Sequence, residues 1–254
     1  MRKGLIACAV FASACVGTTG GEVIDFPTAA AGPVDAPAGQ PLAFATDTGW
    51  QVVLSQAVIH IGGVYLNQAR AVSGAQTTDC FLPGTYVAQE TTGLDVDLLS
   101  PTPQPFPTPS HGTTLPVLVA QLWLTGVRVD ESEDTTKILQ VAGTATRQGV
   151  TQTFAGVMHI GSNRQAQGGA LPGAYPICKQ RIVTPIDAPL VVRSTGGLLV
   201  RIDPRRFFVG VDFGALQNGI FSDDSSDKPS TLLYQNLHAA ELGGPYTVEW
   251  SDAL

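Results

Sequence analysis

Residues 138–160 read ILQVAGTATRQGVTQTFAGVMHI, and the fold class turns on how this stretch is read. Two Thr-rich runs, Ile138–Arg147 and Val150–Ile160, are joined by Arg147-Gln148-Gly149. A short Gly-containing turn between strand-forming runs predicts a β-hairpin. The same vocabulary, short apolar or Thr-rich runs punctuated by Gly and Pro, continues in both directions. It predicts strands at Trp50–Ile61, Leu94–Leu99, Leu115–Val129, Leu190–Arg193, Leu198–Ile202 and Tyr246–Trp250. Val64–Asn67 and Gly84–Val87 are weaker instances. Strands of this number and spacing predict an all-β sandwich.

Two short helices are expected near the C-terminus. Asp203 before Pro204 is a good N-cap with proline in the first turn, opening a helix through Phe208. Ser230 is a candidate cap for a second, in which Leu233, Leu237 and Ala240 share a face before Gly243-Gly244-Pro245. Ser100–Pro116 holds six prolines and predicts an exposed polyproline-like loop, a plain connection or a displayed recognition segment.

Three short patterns recur in one order. Ala57-Val58-Ile59-His60-Ile61-Gly62 is echoed by Gly156-Val157-Met158-His159-Ile160-Gly161. Leu82-Pro83-Gly84-Thr85-Tyr86 is echoed by Leu171-Pro172-Gly173-Ala174-Tyr175, and Val127–Asp130 by Val200–Asp203. The echo fits two related halves, or the reuse of strand-and-turn vocabulary within a β-protein.

The chain has 254 residues, 44% of them apolar and 14% charged, with a net charge of −7. That is enough apolar content for a real core. Nucleic acid is excluded as an expected partner, because phosphate binding needs a concentrated basic surface.

At the N-terminus, Arg2 and Lys3 precede an uncharged apolar run from Leu5 to Ala14. This is the pattern of a secretory signal peptide, too short to span a bilayer. Ala12-Ser13-Ala14-Cys15 resembles the lipobox of bacterial lipoproteins, with Ala12 where that family prefers Leu. The resemblance implies that residues 1–14 are removed and Cys15 is diacylated; plain secretion with cleavage after Ala14 is the alternative. Val16, where an Asp would retain the family at the inner membrane, implies an outer-membrane address. Residues 15–47, rich in Gly, Ala, Pro and Thr, then read as a flexible tether, and 48–254 as the folded domain. Gly49–Asn67 and Leu171–Val183 also look like parts of predicted bacterial envelope lipoproteins, a resemblance that implies an address and no activity.

With Cys8 and Cys15 assigned to the signal and the anchor, Cys80 and Cys178 remain. In an oxidising compartment a disulfide is the economical reading, two separate buried thiols the other. A closed loop of roughly 100 residues would contribute about 4.7 kcal/mol in the chain-entropy model.

His60 and His159 are the leading metal candidates, each on an expected strand just before an apolar residue and a glycine. Alternation puts His60 on the face of Val58 and His159 on that of Val157. With a carboxylate such as Asp130 or Asp203 they could hold zinc or copper; otherwise they are half-buried strand histidines. Asp223, Asp224 and Asp227 form an acidic run that offers oxygen ligands for calcium or serves as a solvated loop. Arg201, Arg205 and Arg206 around Asp203-Pro204 offer an anion site, or else are exposed while Phe207 and Phe208 anchor the segment. Trp50, Trp123 and Trp250 read as core rather than as a sugar-stacking platform.

No Gly-x-Ser-x-Gly elbow, zinc-protease His-Glu-x-x-His or phosphate loop is present. The leading expectation is therefore a non-enzymatic envelope lipoprotein, a tethered β-sandwich for binding or assembly with a membrane anchor and an envelope protein partner. A metal-binding protein and an enzyme acting on extracellular polymers are the alternatives.

Overall fold

In the computed structural model of the protein, Gln148 (φ 53°) and Gly149 (φ 80°) are both left-handed. Two successive positive φ values make the hairpin turn whose twist matches its strands. The structure describes residues 20–70, 85–126, 134–159, 181–222, 227–240 and 243–254.

Sixteen strands lie among the described residues. In chain order they are β1 (Val23–Phe26), β2 (Thr28–Ala31), β3 (Leu42–Ala45), β4 (Gln51–Ile61), β5 (Gly63–Asn67), β6 (Tyr86–Glu90), β7 (Leu94–Asp97) and β8 (Gln104–Pro105). They continue as β9 (Ser110–Thr113), β10 (Pro116–Trp123), β11 (Lys137–Arg147), β12 (Val150–His159), β13 (Ile182–Val191), β14 (Gly197–Ile202), β15 (Ile220–Ser222) and β16 (Tyr246–Ser251). The first sheet runs β1-β9-β6-β5-β10-β13 and the second β15-β12-β11-β4-β3, with β7 pairing the far half of β4. A third, smaller sheet runs β16-β14-β2-β8. One buried cluster, including Ile59, Leu66, Leu122, Phe154 and Val200, draws on all three. The fold is an all-β sandwich.

The chain passes from the second sheet to the first at Gly62, between β4 and β5. There the Gly62 N–H donates to the Trp123 carbonyl at 2.8 Å. A strand that changes sheets makes a sandwich corner, and this corner leaves no room for a side chain. A Cβ on Gly62 would lie 1.7 Å from the Thr125 carbonyl oxygen.

Three expectations are corrected. Residues 15–47 are not a tether over their described part: β1, β2 and β3 lie there, and β2 is fully buried between β14 and β8. Small residues allow that burial, since Ala29, Ala30 and Ala31 let neighbouring strands approach closely. The Pro-rich stretch is not one exposed loop. Its proline-free segment, Ser110–Thr113, is a central strand between β1 and β6, and Phe106 and Ser110 are buried. The helix cap is Asp227, not Ser230: its carboxylate accepts the Ser230 N–H at 2.7 Å and opens α1 (Lys228–Leu237).

The 3-10 helix Pro204–Phe208 forms where expected, with Asp203 accepting the Arg205 N–H. Phe207 and Phe208 are fully buried and anchor it. A second clamp holds the following segment. Trp50 Nε1 donates to Asp212 at 3.0 Å, and Arg147 stacks over the Trp50 ring at 4.4 Å while pairing with Asp212 at 3.0 Å.

Burial pushes the Asp212 carboxyl up, but the Gly214 N–H, Trp50 and Arg147 outweigh it and hold the group below the ordinary carboxylate range. Asp134 behaves alike: burial raises it, and hydrogen bonds from Thr125, Thr136 and Gly126 bring it down. A carboxylate depressed by folding stabilises the native state above its unfolded pKa of about 3.9. That contribution is lost as pH falls through the lower folded value. Acid unfolding followed by circular dichroism should therefore set in below about pH 4. Asp212→Asn should flatten the acid limb and lower stability at neutral pH; an unchanged limb would refute the coupling.

Candidate functional site

The two histidines of the echoed stretches flank a common strand. Leu139 of β11 pairs with Ile59 of β4 on one side and Met158 of β12 on the other. Ile59, Leu139 and Met158 therefore form one row, all buried on the core side. β4 and β12 both run antiparallel to β11, so they run parallel to each other. His60 and His159, each one residue further along, stand in the next row at the same end of the sheet. Both are half-buried on the face opposite the core, with Val58 and Val157 preceding them on that face. Two strand spacings of about 4.8 Å place their Cα atoms on the order of 10 Å apart. Between them β11 is bulged, so that Ile138 and Leu139 both turn inward.

His60 is oriented from its far side. It is the register partner of Asp95 on β7, and its Nδ1 lies 2.6 Å from the Asp95 carboxylate. When Nδ1 carries the proton and donates to Asp95, Nε2 presents its lone pair, the arrangement by which carboxylates orient histidine metal ligands. The ring also packs against Gly93, where a Cβ would sit 3.6 Å from His60 Nε2. A second cross-strand pair has the same geometry: His111 Nδ1 lies 2.6 Å from Asp25, with both side chains about two-thirds exposed, at 67% and 68%.

The carboxylates proposed to complete the site are placed elsewhere or engaged. Asp203 accepts from the Arg205 backbone at 3.0 Å and from its guanidinium at 2.8 Å, and Arg205 also pairs with Asp35 at 2.8 Å. Asp203 shares a cleft of about 330 Å³ with Phe44, Ala45 and Arg206. Ala45 pairs with Gln51, at the opposite end of β4 from His60 and about 30 Å along the strand. Asp203 is thus no ligand partner for His60. Asp227 is committed to the α1 cap. Asp130, Asp223, Asp224, Cys15, Cys80 and Cys178 lie outside the described residues. Among the described residues no group of three or more His, Cys, Asp or Glu is arranged to hold a metal ion. No helix there is long and apolar enough to cross a membrane.

The outer face of the first sheet carries a cluster that the sequence did not isolate. Trp123 is not core: it lies half-buried on that face, its ring 4.3 Å from Tyr65, which in turn meets Tyr86 edge-on at 5.6 Å. Trp123 Nε1 donates to Gln121 Oε1 at 3.4 Å. Beside them, Asn67 and Gln121 are fully buried. Both amide atoms of Asn67, Nε2 of Gln121 and Oγ1 of Thr184 find no hydrogen-bond partner among the described residues. Each such buried group costs about 1–3 kcal/mol when unsatisfied. Register explains the grouping: Asn67 pairs with Val119 two residues before Gln121, and Gln121 pairs with Tyr65. Period-two alternation then puts all of them on one side.

No protein-family model matches the chain, and no curated protein matches it in sequence. Among solved structures, MbnP from Methylosinus trichosporium is similar, with 10% identity, a TM-score of 0.39, and 90% of this chain and 98% of that chain covered.

Proposed function

We propose that this protein is an exported, lipid-anchored β-sandwich whose role is binding rather than catalysis, and that it holds a transition-metal ion between His60 and His159. The observation that carries the reading is the shared row: two imidazoles on one face, either side of β11, with His60 already oriented by Asp95. Two imidazoles leave coordination positions open to solvent or to a delivering partner. That set suits copper better than the closed four-ligand shell of structural zinc. The envelope address rests on the signal sequence and the lipobox resemblance.

Purified protein incubated with copper and, separately, with zinc or calcium, then desalted and analysed for metal, should retain one equivalent of copper. His60→Ala and His159→Ala should each abolish retention. Asp95→Asn, which removes only the orienting carboxylate, should weaken it by about 10–100-fold. Copper retained equally by both histidine variants would sink the reading. Mass spectrometry of the membrane-extracted protein should find an acylated Cys15 at the N-terminus; an unmodified N-terminus would remove the anchor.

A further inference from the structure

One cleft holds a cation and an anion that do not neutralise each other. Of the arginines around Asp203-Pro204, Arg201 turns to Glu249 and to the carbonyls of Gly32 and Pro101. Arg205 is committed through its whole fork, Nε to Asp203 and both Nη atoms to the two oxygens of Asp35. Arg206 is exposed, and its guanidinium meets no acceptor among the described residues. It lines the cleft of about 330 Å³ between β3 and the 3-10 helix Pro204–Phe208. Asp47, just after β3, lines the same cleft and is also exposed. Its two oxygens accept the Gly210 N–H at 2.8 and 3.1 Å, which fixes the carboxylate without neutralising it. Asp203 and Arg205, the other charged residues on the wall, are paired with each other. The rest of the wall is largely apolar: Phe44 is half-buried against Phe208, and Val209 is 44% exposed.

We propose that this cleft binds a free α-amino acid with an apolar side chain, its carboxylate on Arg206, its ammonium on Asp47 and its side chain against Phe44 and Val209. The charges select a zwitterion. A bare anion drawn to Arg206 is repelled by Asp47, a bare cation drawn to Asp47 is repelled by Arg206, and a ligand that carries both signs satisfies both. The arginine fork matches a carboxylate with two parallel hydrogen bonds. Asp47 is already held by Gly210, so little freedom is lost there on binding. A cleft at the lower end of the ligand-pocket range of about 300–1,000 Å³ suits a small molecule rather than a polymer. It is reachable from solvent, because both charged residues and Val209 are exposed. The cleft lies at the opposite end of β4 from His60, so the inference stands whether or not metal binds.

The test is a ligand-observed NMR titration of the whole purified protein with L-leucine and with L-phenylalanine. At least one should bind saturably. The amide of that amino acid, which lacks the carboxylate, and its deamino acid, which lacks the ammonium, should each bind about tenfold more weakly, the loss of one charge-assisted hydrogen-bonded contact. Arg206→Gln should weaken the amino acid about tenfold and should not weaken the amide, because the contact it removes is one the amide never makes. Asp47→Asn keeps an acceptor for the Gly210 N–H; it should weaken the amino acid and not the deamino acid. Both positions are exposed, so both variants should keep the melting temperature of the parent. The proposal is overturned if neither amino acid binds saturably, if the amide or the deamino acid binds as tightly as the amino acid, or if either variant binds the amino acid like the parent.

Discussion

Phe208→Ala should lower stability by about 3–5 kcal/mol, the cost of removing a fully buried phenylalanine and leaving a cavity. Phe208 is the hub of the aromatic core. Its ring centroid lies 5.9 Å from Phe44, 5.8 Å from Phe154, 5.7 Å from Phe213 and 6.0 Å from Phe221. Those partners come from β3, β12, the 3-10 turn Phe213–Ala215 and β15, so one side chain ties the second sheet to the segment that closes it. For a domain of this size each kcal/mol moves the melting temperature by about 2–4 °C. The expected fall is thus on the order of 6–20 °C in a thermal melt. Phe208→Leu, which keeps most of the volume, should cost under about 2 kcal/mol. A loss for Phe208→Ala no larger than for Phe208→Leu would mean that the cluster relaxes around the gap and that no cavity forms.

Where period-two patterning was strong, the sequence was legible. β4, β11, β12, β14 and β16 lie where alternation and the Gln148-Gly149 turn put them. The elements that escaped did so for a physical reason. β2 is Thr-Ala-Ala-Ala, without a large side chain to show a face, yet it is buried on both sides in the third sheet. β9 is Ser-His-Gly-Thr inside a proline-rich stretch, and its partners on β1 and β6, not its own propensity, make it a strand. Tertiary pairing overrides weak local preference in such places. β13 begins about eight residues before the expected strand, and its added part contains Pro185 and Pro189. They are tolerated at a sheet edge, where one side needs no donors.

The candidate sites divide in the same way. Alternation alone gave the faces of His60 and His159, but that they flank one strand in one row is a fact of register, fixed by pairings far apart in sequence. Asp95 could not be found from sequence: it lies 35 residues from His60, and only the β4–β7 pairing makes them neighbours. Gln121 and Asn67 gave no signal either, since a buried amide without a partner looks in sequence like any amide on a strand.

Gly62→Ala should be the most damaging of the small substitutions, although it adds one methyl group. The new Cβ would meet the Thr125 carbonyl at 1.7 Å, a backbone atom that cannot swing aside as a side-chain tip can. Relief requires β4 and β5 to separate from the Trp123–Thr125 segment, breaking the 2.8 Å bond from Gly62 N–H to the Trp123 carbonyl. Overpacking of this kind costs about 3 kcal/mol or more, so a thermal melt should fall by roughly 6 °C or more. Gly49→Ala is the informative control. Gly49 has φ +83° with open space around it, so a side chain there meets only backbone strain of about 1–2 kcal/mol. The ranking matters because Gly62 lies two residues after His60 and one before β5, which carries Tyr65 and Asn67. The corner therefore joins the strand that carries His60 in the second sheet to the strand that carries Tyr65, packed on Trp123, in the first. If Gly62→Ala destabilises no more than Gly49→Ala, the corner is compliant, and a glycine after the His-Ile pair has no steric cause in this fold.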